Sequence, residues 1–522
     1  MSSTLKKLPF EQTNAFTPFF LDFVAQKEGL KKFYNRFPEK KAFANQIEEK
    51  AKNYSANNRT VLTKALQQQY HGITISETVV HNLTSLADAK TFTITTGHQL
   101  NIFTGPLYFI YKIVAVIKAC KQLKVQHPDY NFVPVYWMAS EDHDYDEIKS
   151  FRLYGKKYSW ETNQQGAVGR FHTKDFKQLL SEVPGAIELF KKAYTQHYNL
   201  ADAVRYYVNE LFGDEGLVVV DGDDAQLKSL FKEVIKADIF NHTAKTKVDK
   251  TNAELEALGY KPQIYCREIN FFYLDNGLRS RIEQHGDVYE VLDTDIKLSR
   301  QEIEKLIEST PEKFSPNVIL RPLYEEIILP NIAYCGGPAE IVYWLQLKEV
   351  FQHFNTSFPI LLPRTFGLVV DEPTQRKIEK SGLALEELFL EKNYLFNHIV
   401  LKLSREKILL NGQKELIEKQ FEAIKSQASV IDQSLNTMVA AETRRMQKSL
   451  EKIEQKFLKA EKRKQSDKLG QVEAIKNSLF PNGSLQERTD NFLNFHQQHP
   501  DFIKHLLNHF DPFDLRFNVL YL

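Results

Sequence analysis

The stretch "TFTITTGHQLNIFTGPLYFIYKIVAVIKACKQLKVQHPDYNFVPVYWMAS", residues 91–140, decides the fold. It opens on a β-branched run over 91–98 that ends in glycine and histidine. Residues 105–123 read as a buried helix, and 131–140 as a second apolar strand. Strand, helix and strand in so short a span make a βαβ unit, whose crossover is right-handed.

Working outward, the same grammar repeats. "GLVVVDGDD" (216–224) leads into the helical "AQLKSLFKEVIKADIF", and "NIAYCGG" (331–337) leads into "PAEIVYWLQLKEVF". "FPILLPR" (358–364) supplies a fifth apolar run. The pattern predicts an α/β fold with an open, mostly parallel Rossmann-type sheet, which binds ligands at the carboxyl ends of its strands.

The gaps between these runs are too long for simple connections. The expected organisation is a helical segment over 1–85 packing on the core, the first half of the core over 86–149, and an insertion over 150–210. A strand and helix follow over 211–244, a second insertion over 245–314, and the second half of the core over 315–370. The first insertion carries strand-like "RFHT" and a helix around "KDFKQLLSEV". In the second, Asn276-Gly277 between β-rich runs signals a hairpin, and "SRQE" (299–302) opens a helix as a capping box.

From 371 to 480 the composition turns to Lys, Glu, Gln and Leu, and a helical coiled coil is expected. Ile417, Phe421, Ile424, Ala428, Ile431, Leu435 and Met438 form one heptad seam; Met446, Leu450, Ile453, Phe457 and Ala460 form another, out of phase by one residue. A helical hairpin turning at "DQSLN" (432–436) accounts for the slip, with one stuttered helix as the alternative. The seam docks internally or joins two copies. "KAEKRKQSDK" reads as its solvated face and "FPNGS" as its close. Residues 481–522 are expected to return to the core, where "FDLRFNVLYL" alternates like a strand.

Bulk properties bound the function. The 522 residues are 42% hydrophobic and 26% charged with a net charge of +1, which suits a globular protein and gives no general basis for binding nucleic acid. The longest apolar helix, near 106–120, is interrupted by Lys112 and Lys118, so no membrane span is expected. Cys120, Cys266 and Cys335 are far apart, favouring a reducing cytoplasm over a disulfide framework or a zinc site. Cys335, at a strand end, is the one thiol worth testing.

Three polar clusters follow strands. In "TTGHQLNIFTGPLY" (95–108), Gly97 permits a turn, Thr104 is a candidate N-cap and Pro106 suits the first helical turn. Such a helix start offers free N–H groups to an anion, and His98 could add a donor. In "EDHDYDE" (141–147), Glu141, Asp142, Asp144, Asp146 and Glu147 surround His143. The spacing fits neither HExxH nor an EF-hand, so no metal cage is expected, and binding an amine or moving a proton is the favoured use. In 315–347, Arg321 needs an acidic partner or an anionic ligand. Gly336, Gly337 and Pro338 repeat the strand–glycine–helix start, Glu340 sits in the first helical turn, and Tyr343 and Trp344 could wall a pocket or pack a core. The acidic loop "VVVDGDDAQ" reads better as a turn with an N-cap.

Taken together, "TGPLY", "VYWMASEDHDYDEI", "SPNVILRPLYEEIILPNIAYCGGPAEIVYW", "PILLPR" and "NSLFPNGSLQER" resemble the bacillithiol biosynthesis cysteine-adding enzymes, also called cysteine ligases or bacillithiol synthases. The resemblance runs nearly end to end. It implies a Rossmann core akin to class I aminoacyl-tRNA synthetases and nucleotidylyl transferases, with two connecting-peptide insertions and a coiled coil that dimerises. It also implies joining L-cysteine to glucosaminyl-malate through an amide bond, with ATP or ADP involved. Where synthetases carry HIGH and KMSKS motifs, this chain has "GHQLNIFTG" and the lysine-free "LPRTFG". Gly97-His98-Gln99 stands where family members often have GQQ.

On that resemblance His98, Gln99, Thr104 and Tyr108 line one strand-end loop, and Glu141, Asp142, His143 and Asp144, the catalytic candidates, line the next. Asn317, Arg321, Gly336, Gly337, Glu340 and Trp344 complete the cleft. Asp142 or Asp144 would hold an ammonium, His143 would move a proton, and Arg321 would bind a carboxylate. The alternatives are a nucleotide-binding coiled-coil adaptor without catalysis and a nucleotide-sugar transferase, whose acidic loops hold metal–diphosphate groups.

Overall fold

The computed structural model describes residues 3–185, 187–404 and 407–522. The chain divides into two units, one made of residues 1–11, 15–369 and 484–520, the other of 12–14, 370–483 and 521–522.

The first unit is organised by a five-stranded parallel sheet. Its strands are β1 (Thr91–His98), β2 (Asn131–Met138), β3 (Val218–Asp221), β4 (Asn331–Gly336) and β5 (Ile360–Pro363). Their order across the sheet is β5-β4-β1-β2-β3, and every neighbouring pair is parallel. The order reverses between β1 and β4, which makes that seam the topological switch point.

The sequence explains why these runs are strands. Parallel sheets are covered on both faces, so their strands are apolar or β-branched throughout. In β1 three of the buried threonines find partners on the neighbouring strand. Thr93 and Thr95 hydroxyls donate to Asn331 Oδ1 at 3.1 and 2.9 Å, and Thr96 donates to the Cys335 carbonyl at 2.7 Å. Helix α1 (Tyr108–Gln126) is buried nearly all round, as a helix inside the core must be. Helix α2 (Arg321–Ile328) precedes β4, and α3 (Pro338–Trp344) follows it.

Both long gaps fold as decorations of the sheet. Residues 150–159 form a hairpin, followed by helices Phe176–Glu182, Glu188–Gln196 and Leu200–Phe212. "RFHT" is not a strand: Val168–Arg170 is a 3-10 turn, and only His172 pairs, with Asn199. The second gap is a five-stranded sheet in which Phe271–Asp275 and Leu278–His285 pair antiparallel around Asn276-Gly277. Gly277 has φ +68°, the conformation that favours glycine in such turns. Ser299 and Glu302 form the expected capping box. Asp224 caps its helix by accepting from the Gln226 and Leu227 N–H groups, so "VVVDGDDAQ" is a turn and cap.

The tail strand Phe517–Tyr521 lies between Thr4–Leu8 and Gly367–Val370. In the second unit, α4 (Asn411–Ile431) and α5 (Leu435–Lys464) form the helical hairpin, turning at 432–434. Among the described residues no helix is long and apolar enough to cross a membrane.

Candidate active site

A cavity of about 940 Å³ opens at the carboxyl ends of β1 and β4. The core supplies His98, Gln99, Tyr108, Lys112, Arg321, Glu325, Glu340 and Arg364 to its wall. The second insertion contributes Phe272 and Arg279, and Arg488 comes from beyond residue 484.

Asp142 is the electrostatic centre. Its Oδ2 accepts from Gln99 Nε2 at 2.9 Å and its Oδ1 from the His143 N–H at 2.8 Å. Arg321 Nη2 stands 3.3 Å from Oδ2, and Arg279 Nη1 3.6 Å from Oδ1. Burial alone would raise this carboxyl, but Arg321 and Arg279, with Gln99 and the His143 N–H, hold it well below the usual carboxylate range. Arg321 thus finds the acidic partner that its sequence setting demanded. For Asp142 the consequence is a correction: a carboxylate already shared by two guanidiniums is not free to hold a substrate ammonium.

Arg279 is fixed in turn. It donates to Ser315 Oγ at 3.1 Å and the Pro316 carbonyl at 3.3 Å, and its guanidinium lies 3.9 Å from the Phe272 ring centroid. It also approaches His143 Nδ1 at hydrogen-bond distance. A guanidinium only donates, so Nδ1 is the acceptor and Nε2 carries the proton of the neutral ring. Burial and Arg279 lower the His143 pKa. His143 therefore presents an N–H donor, not a free base, unless Arg279 moves.

The five carboxylates of 141–147 divide among different surroundings, with Asp142, Asp144 and Glu147 on the cavity wall. Glu141 is buried against Lys228 and does not line the cavity. Asp146 pairs with Lys149 at 2.5 Å. Asp144 and Glu147 stay at the cavity rim. The loop's backbone is set by the first insertion: the Val168 N–H donates to the Asp142 carbonyl at 2.7 Å and the Gly169 N–H to the Ser140 carbonyl at 2.8 Å.

Across the switch point, Lys112 Nζ donates to the Gly97 carbonyl at 2.8 Å and pairs with Glu340 at 2.6 Å. Tyr334 donates to Glu340 Oε1 at 2.8 Å, and the Gly337 N–H to Oε2 at 2.7 Å. Gly97 is thus a strand residue, and a side chain there would approach the Tyr334 hydroxyl. Trp344 stacks on Tyr334 at 4.4 Å and also reaches the cavity wall. His98 packs against Tyr108 and Phe109; burial, with Lys112 and Arg364, holds it neutral.

Thr104 departs from expectation. Helix α1 begins at Tyr108, with Pro106 ahead of it. Phe103, Thr104 and Gly105 all have positive φ (51°, 67° and 61°), so Thr104 is buried and caps nothing. The reason lies far away in sequence: Asn491 Nδ2 donates to the Phe103 and Gly105 carbonyls, each at 2.7 Å, and the Leu107 N–H donates to the Asp490 carbonyl at 2.8 Å. The Phe103 N–H goes to the Tyr194 hydroxyl and the Gly105 N–H to the Ile102 carbonyl. These N–H groups are spent within the fold, so the turn is not the anion cradle its sequence suggested.

Gly336 shapes the turn without reaching the wall, whereas Asn317, Gly337, Glu340 and Trp344 line it. Asn317 is oriented by Asn270, donating to its Oδ1 at 3.0 Å. Cys335, near the site, is buried, and burial pushes its thiol up to about 12. Lys112, Arg279, Glu325, Arg364 and Arg488 were missed by sequence reasoning. The only available signal was charge inside apolar runs, visible for Lys112, Glu325 and Arg364.

Comparison with known proteins agrees with this architecture. Residues 4–365 match the family described as "Bacillithiol biosynthesis BshC, N-terminal Rossmann-like domain", and 367–522 match its "C-terminal coiled-coil domain". The chain is 44% identical to a Flavobacterium psychrophilum protein over 93% of each chain. It is 42% identical to one from Cytophaga hutchinsonii over 98% of this chain and 97% of that one, and 28% identical to one from Chlorobaculum tepidum over 84% of each. All three relatives carry the name "Putative cysteine ligase BshC".

Proposed function

The chain belongs to the bacillithiol biosynthesis BshC family, and from that premise we propose that it joins L-cysteine to glucosaminyl-malate through an amide bond. The observation that carries the reading is the switch-point cavity, whose wall sets guanidinium groups and carboxyl groups side by side. Both substrates carry carboxylates and an amine, so each needs the two kinds of partner. Arg321 is the cation for a carboxylate, Asp144 is a rim carboxylate for an ammonium, and the His143 Nε2–H is a hydrogen-bond donor.

Amide formation from a carboxylate and an amine releases water and is unfavourable in dilute solution, so it needs an energy source; ATP is the one we propose. The turn over 102–107 does not fit its phosphates, because the N–H groups of Phe103, Gly105 and Leu107 are already engaged. Side-chain cations fit them better, and Arg488 is the candidate on the wall, since Arg364 is committed to a buried pair with Glu487 at 2.6 Å.

We further propose a homodimer through the hairpin. Ile424, Ile431, Met438, Met446, Ile453 and Phe457 are all exposed in the single chain, an apolar stripe that a second copy would cover.

The test is incubation of the full-length protein with glucosaminyl-malate, L-cysteine and ATP, followed by mass detection of bacillithiol. Product that depends on all three supports the reading. Folded protein that yields none removes it.

A further inference from the structure

Helix α2 carries two adjacent glutamates with opposite surroundings. Glu326 is fully partnered: Lys50 Nζ lies 3.0 Å from its Oε2, and Asn331 Nδ2 donates to Oε1 at 2.5 Å. Glu325, at 3% exposure, lines the cavity, and its Oε1 has no hydrogen-bond partner among the described residues. It makes no ion pair among them either, whereas Asp142 and Glu340 on the same wall are each saturated. A buried, unpaired carboxyl is costly, and its position aimed into a cavity is what a ligand would repay. Arg321 lies one helical turn away on the same face, so the pair offers an anion acceptor and a cation acceptor side by side.

We propose that Glu325 is the group that pairs with a primary ammonium of substrate in this cavity. The groups around it are Lys112 from α1, Glu340, Tyr334 and Tyr343 from the β4–α3 segment, and Glu326 with Lys50 behind it. Burial, with Glu326 and Glu340 near, holds the empty carboxyl well above its usual range. The bound pair needs the carboxylate. On binding, the neutral carboxylic acid of Glu325 therefore gives up its one proton to solvent. The resulting carboxylate pairs with the substrate ammonium, which keeps all of its own protons.

The inference rests on the proposed ligase reading for its two ligands, L-cysteine and glucosaminyl-malate, each of which carries such an ammonium. Titration calorimetry of the full-length protein near neutral pH, in buffers of different ionisation enthalpy, counts protons released on binding. About one proton is expected with whichever ligand meets Glu325. None is expected with its counterpart lacking the ammonium, 3-mercaptopropionate or N-acetylglucosaminyl-malate. Glu325→Gln should weaken the responsive ligand by on the order of tenfold and abolish the release. The proton count on the wild-type protein needs no variant, so a misfolded Glu325→Gln leaves the test intact. No proton released with either ligand, or no binding of either, overturns the assignment. Bacillithiol formed by a protein that releases no proton removes Glu325 alone. Proton-coupled binding without bacillithiol removes the ligase reading and keeps Glu325.

Discussion

Replacing Asp142 by asparagine tests the electrostatic core of the site. The substitution keeps the size of the side chain and its contact with Gln99, but removes the charge between two guanidiniums. Arg279, with its side chain 2% exposed, makes its only ion pair among the described residues to Asp142. Stripping one partner from a buried pair costs ~3–5 kcal/mol. Asp142 and Arg321 retain 16% and 20% side-chain exposure, so water screens part of this, and the expected loss at neutral pH is about 2–3 kcal/mol. The pH dependence has a fixed sign. The unfolded carboxyl titrates near 3.9 and the folded one well below it. The stabilisation is complete above about pH 4 and is lost as pH falls toward the folded value. Trp137, Trp160 and Trp344 are the chain's 3 tryptophans, and all lie within residues 15–369, so urea melts followed by tryptophan fluorescence report this unit. The variant should trail the wild type at pH 7 and close part of that gap near pH 3. A variant within about 0.5 kcal/mol of wild type at pH 7, or an equal gap at both pH values, refutes the account.

Gly169→Ala should also destabilise the first unit, by about 1–3 kcal/mol, because a Cβ would stand 2.6 Å from Ser140 Cβ and 2.9 Å from its carbonyl oxygen. The same melts check it, with kcat/KM falling as the Asp142 loop shifts; unchanged stability would sink it. Glu141→Gln and Lys228→Met should each cost ~3–5 kcal/mol, and the double variant less than their sum. A double-mutant cycle with no coupling beyond about 0.5 kcal/mol would show the pair to be energetically idle. Ile453→Asp with Phe457→Asp should halve the mass measured by light scattering and leave the tryptophan melts unchanged; a monomeric wild type contradicts the proposed dimer.

Much of the fold was legible because its signals are local. Each strand of the sheet is a continuous apolar or β-branched run, and Asn276-Gly277, Ser299–Glu302 and the slip at 432–436 are decided by neighbours within a few residues. The failures share one cause. Thr104 looked like a cap on local grounds, yet its loop is shaped by Asn491, 387 positions on by subtraction of the two residue numbers. "RFHT" has strand composition but no neighbouring strand to complete a ladder.

The site follows the same division, and Glu325 shows why. Local sequence places a carboxyl at positions 325 and 326 alike, and nothing in "YEEII" separates them. The difference is made by Lys50 and Asn331, which converge on Glu326 from other elements and leave its neighbour with the cavity. Arg279 is equally silent in sequence, since its role depends on a hairpin from the second insertion reaching the loop after β2. Residue type tells which side chains can carry chemistry. Which of them are still free to meet a ligand depends on partners the fold assigns to all the others. That is why Asp142, the most conspicuous acid of "EDHD", is electrostatically spent, and Glu325, hidden in an apolar helix, is not.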